Sequence, residues 1–191
     1  MLARKILALV LAASCTALLG GCAGAPGPVG NIAVPEPAKP VELNAYLGRW
    51  FEYGRFEAAF QKGCEGVTAD YAIRDTSGAS NIAVVNSCFK GGLDGDFSQA
   101  KGRARVVEGS DGAKLKVSFF GPFFGDYWVL DRGESDASGQ YQWAIVGEPS
   151  GRYLWMLTRE AQPGASLRAQ LERRVRELGY DWELVRLTQQ R

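Results

Sequence analysis

Tyr46-Leu47-Gly48-Arg49-Trp50-Phe51-Glu52 is the stretch on which the fold turns. Gly48-x-Trp50 opens a strand read over Arg49–Phe56, and period-2 patterning continues after it. Val67, Ala69, Tyr71 and Ile73 alternate with Thr68, Asp70, Ala72 and Arg74, and Leu115, Val117 and Phe119 alternate with Lys114, Lys116 and Ser118. Such alternation marks half-buried strands. It predicts strands at Arg49–Phe56, Gly66–Arg74, Asn81–Cys88, Ala100–Val107, Lys114–Phe120, Asp126–Asp131, Tyr141–Gly147 and Tyr153–Arg159. Between them lie Asp75-Thr76-Ser77-Gly78, Gly91-Gly92, Gly109-Ser110-Asp111-Gly112, Ser138-Gly139 and Pro149-Ser150-Gly151, which is turn chemistry. Eight short strands in hairpin reach predict an all-β fold, an eight-stranded up-and-down antiparallel barrel. One C-terminal α-helix follows, its stripe Leu167, Leu171, Val175 and Leu178 packed outside the barrel. Gly164 and Ser166 suit its start and Gly179 its end; Trp182–Leu187 reads as a short final strand.

Composition narrows the chemistry. The 191 residues include 22 Lys+Arg, 21 Asp+Glu and no histidine. A net charge of +1 gives no field for nucleic acid. Without histidine there is no Ser-His-Asp triad, no His-ligated metal and no imidazole base. Neither a metal nor a cofactor is expected.

The first segment reads as an address. Arg4 and Lys5 precede an apolar run, Ile6–Leu19, about as long as a secretory core and short for a membrane span. It ends in Leu19-Gly20-Gly21-Cys22, which resembles the bacterial lipoprotein cleavage box, so Cys22 is expected to be the lipid attachment site, bearing acyl chains such as palmitate. With Ala23 and not Asp after it, the usual sorting rule points to the bacterial outer membrane. The expected organisation is a signal peptide over 1–21, an acylated cysteine and Pro-rich tether over 22–40, and a barrel domain over 41–191. Cys15 leaves with the signal and Cys22 is acylated, so Cys64 and Cys88 remain, an even number that reads as one disulfide.

Three further features stand at fitting distances from Gly48-x-Trp50. They are Gly125-Asp126-Tyr127-Trp128-Val129-Leu130-Asp131, Tyr153-Leu154-Trp155-Met156-Leu157-Thr158-Arg159, and the helix directly after the second. Together they resemble the lipocalin family. The run Lys114-Leu115-Lys116-Val117-Ser118-Phe119-Phe120-Gly121-Pro122-Phe123-Phe124 is especially similar to its bacterial outer-membrane lipoproteins and their apolipoprotein D-like relatives. Asp131-Arg132 stands where the wider family has a Thr-Asp-Tyr element, a departure from the pattern. Strand direction brings Trp50, Asp131-Arg132 and Arg159 to one rim. The resemblance implies that Gly48, Trp50 and Arg159 are structural, with the Arg159 guanidinium over the Trp50 indole closing the base. By the same parity Cys64 and Cys88 fall at the upper rim. Cys64, however, shares the parity of outward Thr68 and Asp70, so a bridge needs a bulge near residue 65. A nucleophilic Cys64, as in the prostaglandin-isomerising lipocalin, is the alternative.

A barrel of this size can hold one small ligand. The expected ligand-binding residues are Tyr71, Val117, Phe119, Tyr153 and Trp155 on the wall, with Phe60 and Phe123 at the mouth. A polar head could rest near Arg55, Lys62 or Lys90. The resemblance implies an outer-membrane-anchored binding or transport protein for fatty acids or lysophospholipids, used in envelope lipid storage, transport or repair. An enzyme on the same scaffold, an isomerase or de-epoxidase, is the alternative; a filled structural barrel is a third reading. Whether two barrels pair as a homodimer stays open.

Overall fold

A computed structural model describes residues 34–74 and 82–191. The expected signal peptide, Cys22, most of the tether and the turn around Thr76 lie outside the described residues. Helix α1 spans Leu43–Tyr46. Eight strands follow: β1 Gly48–Phe56, β2 Cys64–Ile73, β3 Ile82–Lys90, β4 Asp96–Val106, β5 Lys114–Ser118, β6 Gly125–Arg132, β7 Trp143–Gly147 and β8 Leu154–Thr158. Helix α2 spans Ala165–Glu177 and strand β9 Val185–Leu187. Each of β2 to β7 pairs antiparallel with its sequence neighbours, and β1 pairs with both β2 and β8, which closes the barrel. The expected architecture is the observed one.

Differences fall at element ends. β4 begins at Asp96, not Ala100, and β7 at Trp143, with Tyr141 held by an isolated bridge to Ser135. The expected final strand over Trp182–Leu187 is half turn: Trp182–Leu184 form a 3₁₀ turn, started by the Asp181 side chain accepting from the Glu183 N–H. Ile73, expected inward, is exposed at the lower end of β2.

The bulge at the start of β2 is present. Pairing with β3 shifts register between Glu65 and Thr68, and Gly66 takes a φ of +57°, which a side chain would strain. The extra residue turns Cys64 inward, where it forms a disulfide with Cys88 at a Cα separation of 5.4 Å. Further bulges between Glu52 and Gly54 in β1 and between Val129 and Asp131 in β6 change which face follows.

Two apolar clusters result. One fills the lower barrel around Trp50, Tyr71, Ile82, Leu115 and Leu157. The other packs Leu171 and Val175 of α2 against Leu130, Ile145, Leu154 and Met156 on the outer wall. α2 ends in a Schellman turn: Tyr180 N–H donates to Val175 O, Gly179 N–H to Arg176 O, and Gly179 has φ +83°. Arg174 of α2 meets buried Asp131 at 2.7 Å, and Lys39 reaches the same carboxylate at 3.0 Å. Residues 34–40 of the expected tether therefore lie on the barrel, with Val34 packed against the outer cluster and the Arg132 guanidinium donating to Pro40 O.

β9 lies beside β1 where β1 and β2 part. Gly54, Arg55 and Phe56 pair with Leu187, Arg186 and Val185. The ladder continues toward β2: Thr188 N–H donates to Tyr53 O, Gly66 N–H to Gln189 O, and the Gln190 amide donates to the Glu52 and Val67 carbonyls.

Candidate ligand cup

At the base, Trp50 has no exposure, and its indole N–H donates to Tyr46 O at 2.8 Å. The Arg159 guanidinium lies 3.7 Å from the indole centroid. It donates to the carbonyls of Arg49, Ala45, Tyr46, Leu47 and Tyr141, so one cation satisfies the carbonyls of the α1–β1 junction. Burial holds the Arg159 guanidinium below its ordinary pKa, opposed by Tyr46 and Asp136. Gly48, at φ +92°, turns the chain into β1; a Cβ there would stand 3.4 Å from the Arg159 guanidinium. Gly48, Trp50 and Arg159 meet as the motif reading requires.

Above this base the inward face changes character. Val117, Phe119, Tyr127 and Trp155 pack against the inner cluster yet keep accessible surface, whereas Trp50, Ile82 and Leu157 beneath them keep almost none. The inward face is fully buried below and half-buried above. Tyr71, expected in the wall, lies lower, in the floor: its hydroxyl is 2.8 Å from that of Tyr127, which is 2.6 Å from that of Tyr46. Burial pushes the Tyr71 hydroxyl up to about 12.

At the mouth, the rings of Tyr153 and Trp155 stack at 5.7 Å, and Phe60 stands 5.6 Å from Tyr153. Phe60 belongs to the 3₁₀ turn Ala59–Gln61, which the sequence reading missed. Gln61 from the same turn accepts from the Trp155 indole N–H at 3.0 Å and donates to Glu52 Oε2 at 2.5 Å. Phe123 is not part of this group. It is 79% exposed on the β5–β6 loop, and neighbouring Phe124 turns to the outside wall, under the guanidiniums of Arg103 and Arg105.

Arg55 is not a rim cation. It is fully buried and bonds the carboxylates of Glu52 and Glu57, the Thr188 hydroxyl, and the carbonyls of Gln61 and Cys64. Burial pulls its guanidinium down in pKa, and Glu52 and Glu57 more than offset this, so the net shift is upward. Arg186 extends the network to Glu57 and Glu65. The Arg55 donors are thus committed to protein oxygens, whereas the buried Arg186 Nη1 has no hydrogen-bond partner. Apolar periodicity could not reveal these buried charges, although Glu52 and Arg55 inside an aromatic strand were a signal of a kind.

Outside the cup, Phe51, Gly66, Thr68, Phe89, Gln190 and Arg191 line a surface hollow of about 160 Å³. Among the described residues no group of three or more Cys, Asp or Glu side chains could hold a metal ion.

Residues 41–190 match the lipocalin-like domain family model. The chain is 36% identical over 179 residues to the outer membrane lipoprotein Blc of Vibrio cholerae, covering 92% of this chain and 95% of that one. It is 37% identical over 157 residues to the outer membrane lipoprotein Blc of Escherichia coli K12, covering 81% and 80%. Lobster H1 crustacyanin, from Homarus americanus, superposes with a TM-score of 0.61 at 15% identity over 87% of this chain and 90% of that one, a likeness of fold alone.

Proposed function

The chain belongs to the lipocalin family, and from that premise we propose that it is a lipid-anchored outer-membrane protein that carries one acyl-chain ligand, a fatty acid or lysophospholipid, in its barrel. The observation that carries this reading is the two-part interior: a fully buried base under an upper level of apolar inward side chains that keep accessible surface. Each CH₂ taken into such a cup contributes about 0.8 kcal/mol, so an acyl chain needs no covalent link to stay. Gln61 stands over Trp155, accepting from its indole N–H and donating to the Glu52 carboxylate that Arg55 also holds.

The anchor reading rests on Leu19-Gly20-Gly21-Cys22 and on the relatives named outer membrane lipoprotein. Storage, transport or repair of envelope lipids is the role such a carrier would serve. Catalysis has less support. Cys64, the candidate nucleophile, is bonded to Cys88, and the sequence has no histidine to act as base.

The test is native mass spectrometry of the full-length protein purified from its own envelope. One acyl-bearing molecule per barrel is expected. A barrel that stays empty after incubation with palmitate and lysophosphatidylethanolamine would reject the carrier reading.

A further inference from the structure

The floor of the cup carries polarity that an acyl carrier does not need. Tyr46 of α1, Tyr71 of β2 and Tyr127 of β6 place their hydroxyls in a row, at 2.6 Å and 2.8 Å from oxygen to oxygen, with Tyr127 in the middle. Their rings are fixed from the sides: Tyr46 lies 5.1 Å from Trp50 and 5.4 Å from Tyr71. Burial raises all three hydroxyls above the ordinary tyrosine pKa, so each is protonated at neutral pH and carries one hydrogen.

Counting hydrogens gives the result. Two bonds join three O–H groups, so two hydrogens are used within the row and one is not. This holds whether the row points from Tyr46 to Tyr71, from Tyr71 to Tyr46, or from both ends to Tyr127. Among the described residues none of the three has a further hydrogen-bond partner. Tyr127 packs inside the barrel and is the one of the three tyrosines that, as a residue, keeps some accessible surface. A buried donor without an acceptor is costly, and a plain hydrocarbon end resting on it would leave it so.

Resting on the cup reading above, we infer that the tyrosine row is a deep polar subsite, and that the barrel prefers an acyl chain bearing a neutral oxygen, a hydroxyl or a keto group, at its far end. A second carboxylate there is disfavoured. Arg159 lies beneath Trp50 with its three nitrogens already donating to backbone carbonyls, and Arg55 is held by Glu52 and Glu57.

The experiment is a competition. Full-length protein is incubated with equimolar palmitate and ω-hydroxypalmitate, washed, and the retained ratio is read by mass spectrometry against a protein-free blank. The wild type should enrich the hydroxylated chain about fivefold, the size of one neutral hydrogen bond. Tyr127→Phe keeps the ring and removes the central hydroxyl, and should bring the ratio back to that of the blank while total retained lipid stays the same. Tyr71→Phe, at one end of the row, gives a second reading should Tyr127→Phe misfold, and should also lower the ratio. Equal retention of both lipids by the wild type overturns the subsite and leaves the cup reading standing. Retention of neither overturns both.

Discussion

At the base of the barrel a tryptophan meets an arginine; at the mouth a tryptophan meets a glutamine. Trp50 is fully buried under the Arg159 guanidinium, whose nitrogens are committed to five backbone carbonyls from two separate stretches of chain. Trp155 keeps accessible surface and gives its N–H to Gln61, a neutral side chain on a three-residue turn. Removing the arginine exposes several unsatisfied carbonyls and an indole. Swinging the glutamine away frees only the Trp155 indole N–H and one oxygen of a Glu52 carboxylate that Arg55 still holds. The same aromatic residue type is thus locked at one end and latched at the other, and its partner decides which.

The largest expected effect tests whether the latch hangs on a rigid frame. Arg55→Ala strands the Glu52 carboxylate in the wall and should cost about 4 kcal/mol in urea unfolding. A loss below about 1 kcal/mol would mean that water reaches this network and that the frame is as loose as the latch.

Arg159→Ala should cost about 2–3 kcal/mol through the lost ring contact and carbonyl bonds, with palmitate affinity unchanged. An affinity loss at constant stability would invert the comparison and make the base the binding end.

The floor between the two ends should show itself at alkaline pH. Tyr71 has its folded pKa raised from near 10 to about 12. The unfolded chain therefore loses this proton first, so the stabilisation is full below pH 10 and falls as pH rises toward 12. Roughly 2 kcal/mol should be lost across that window on account of Tyr71, read as a falling urea midpoint, and Tyr71→Phe should make the slope shallower while Tyr46 and Tyr127, also raised by burial, keep part of it.

Trp155→Phe should have the smallest energetic effect, below about 1 kcal/mol in palmitate affinity, since the ring stays apolar. It should nevertheless abolish most of the change in tryptophan fluorescence on palmitate addition. A response that survives would place the ligand away from the latch.

The locked end was far more legible in the sequence than the latched one. Gly48, Trp50 and Arg159 stand in motifs, and strand parity alone brings them to one rim. The bulge at the start of β2 was also legible, because Cys64 and Val67 could not both face inward without it. Helix α1 and the Ala59–Gln61 turn are too short to carry a period. Glu52 and Arg55 point where apolar residues are expected, so a search for alternation passes over them. Phe123 shows the opposite error: an apolar residue in a rim loop need not turn toward the cup. Tyr127 sat inside a quoted motif, but its hydroxyl acquires meaning only beside Tyr46 and Tyr71, far away in the chain.

β1 finds its partners at both extremes of the domain: β2 directly after it, then β8 and β9, more than a hundred residues later. Residues 188–190 complete the seam between β1 and β2. A chain that ends before β9 can therefore close the barrel through β8 but leaves the seam where β1 and β2 part uncovered. Such high contact order makes folding slow and reserves the finished seam for the completed polypeptide.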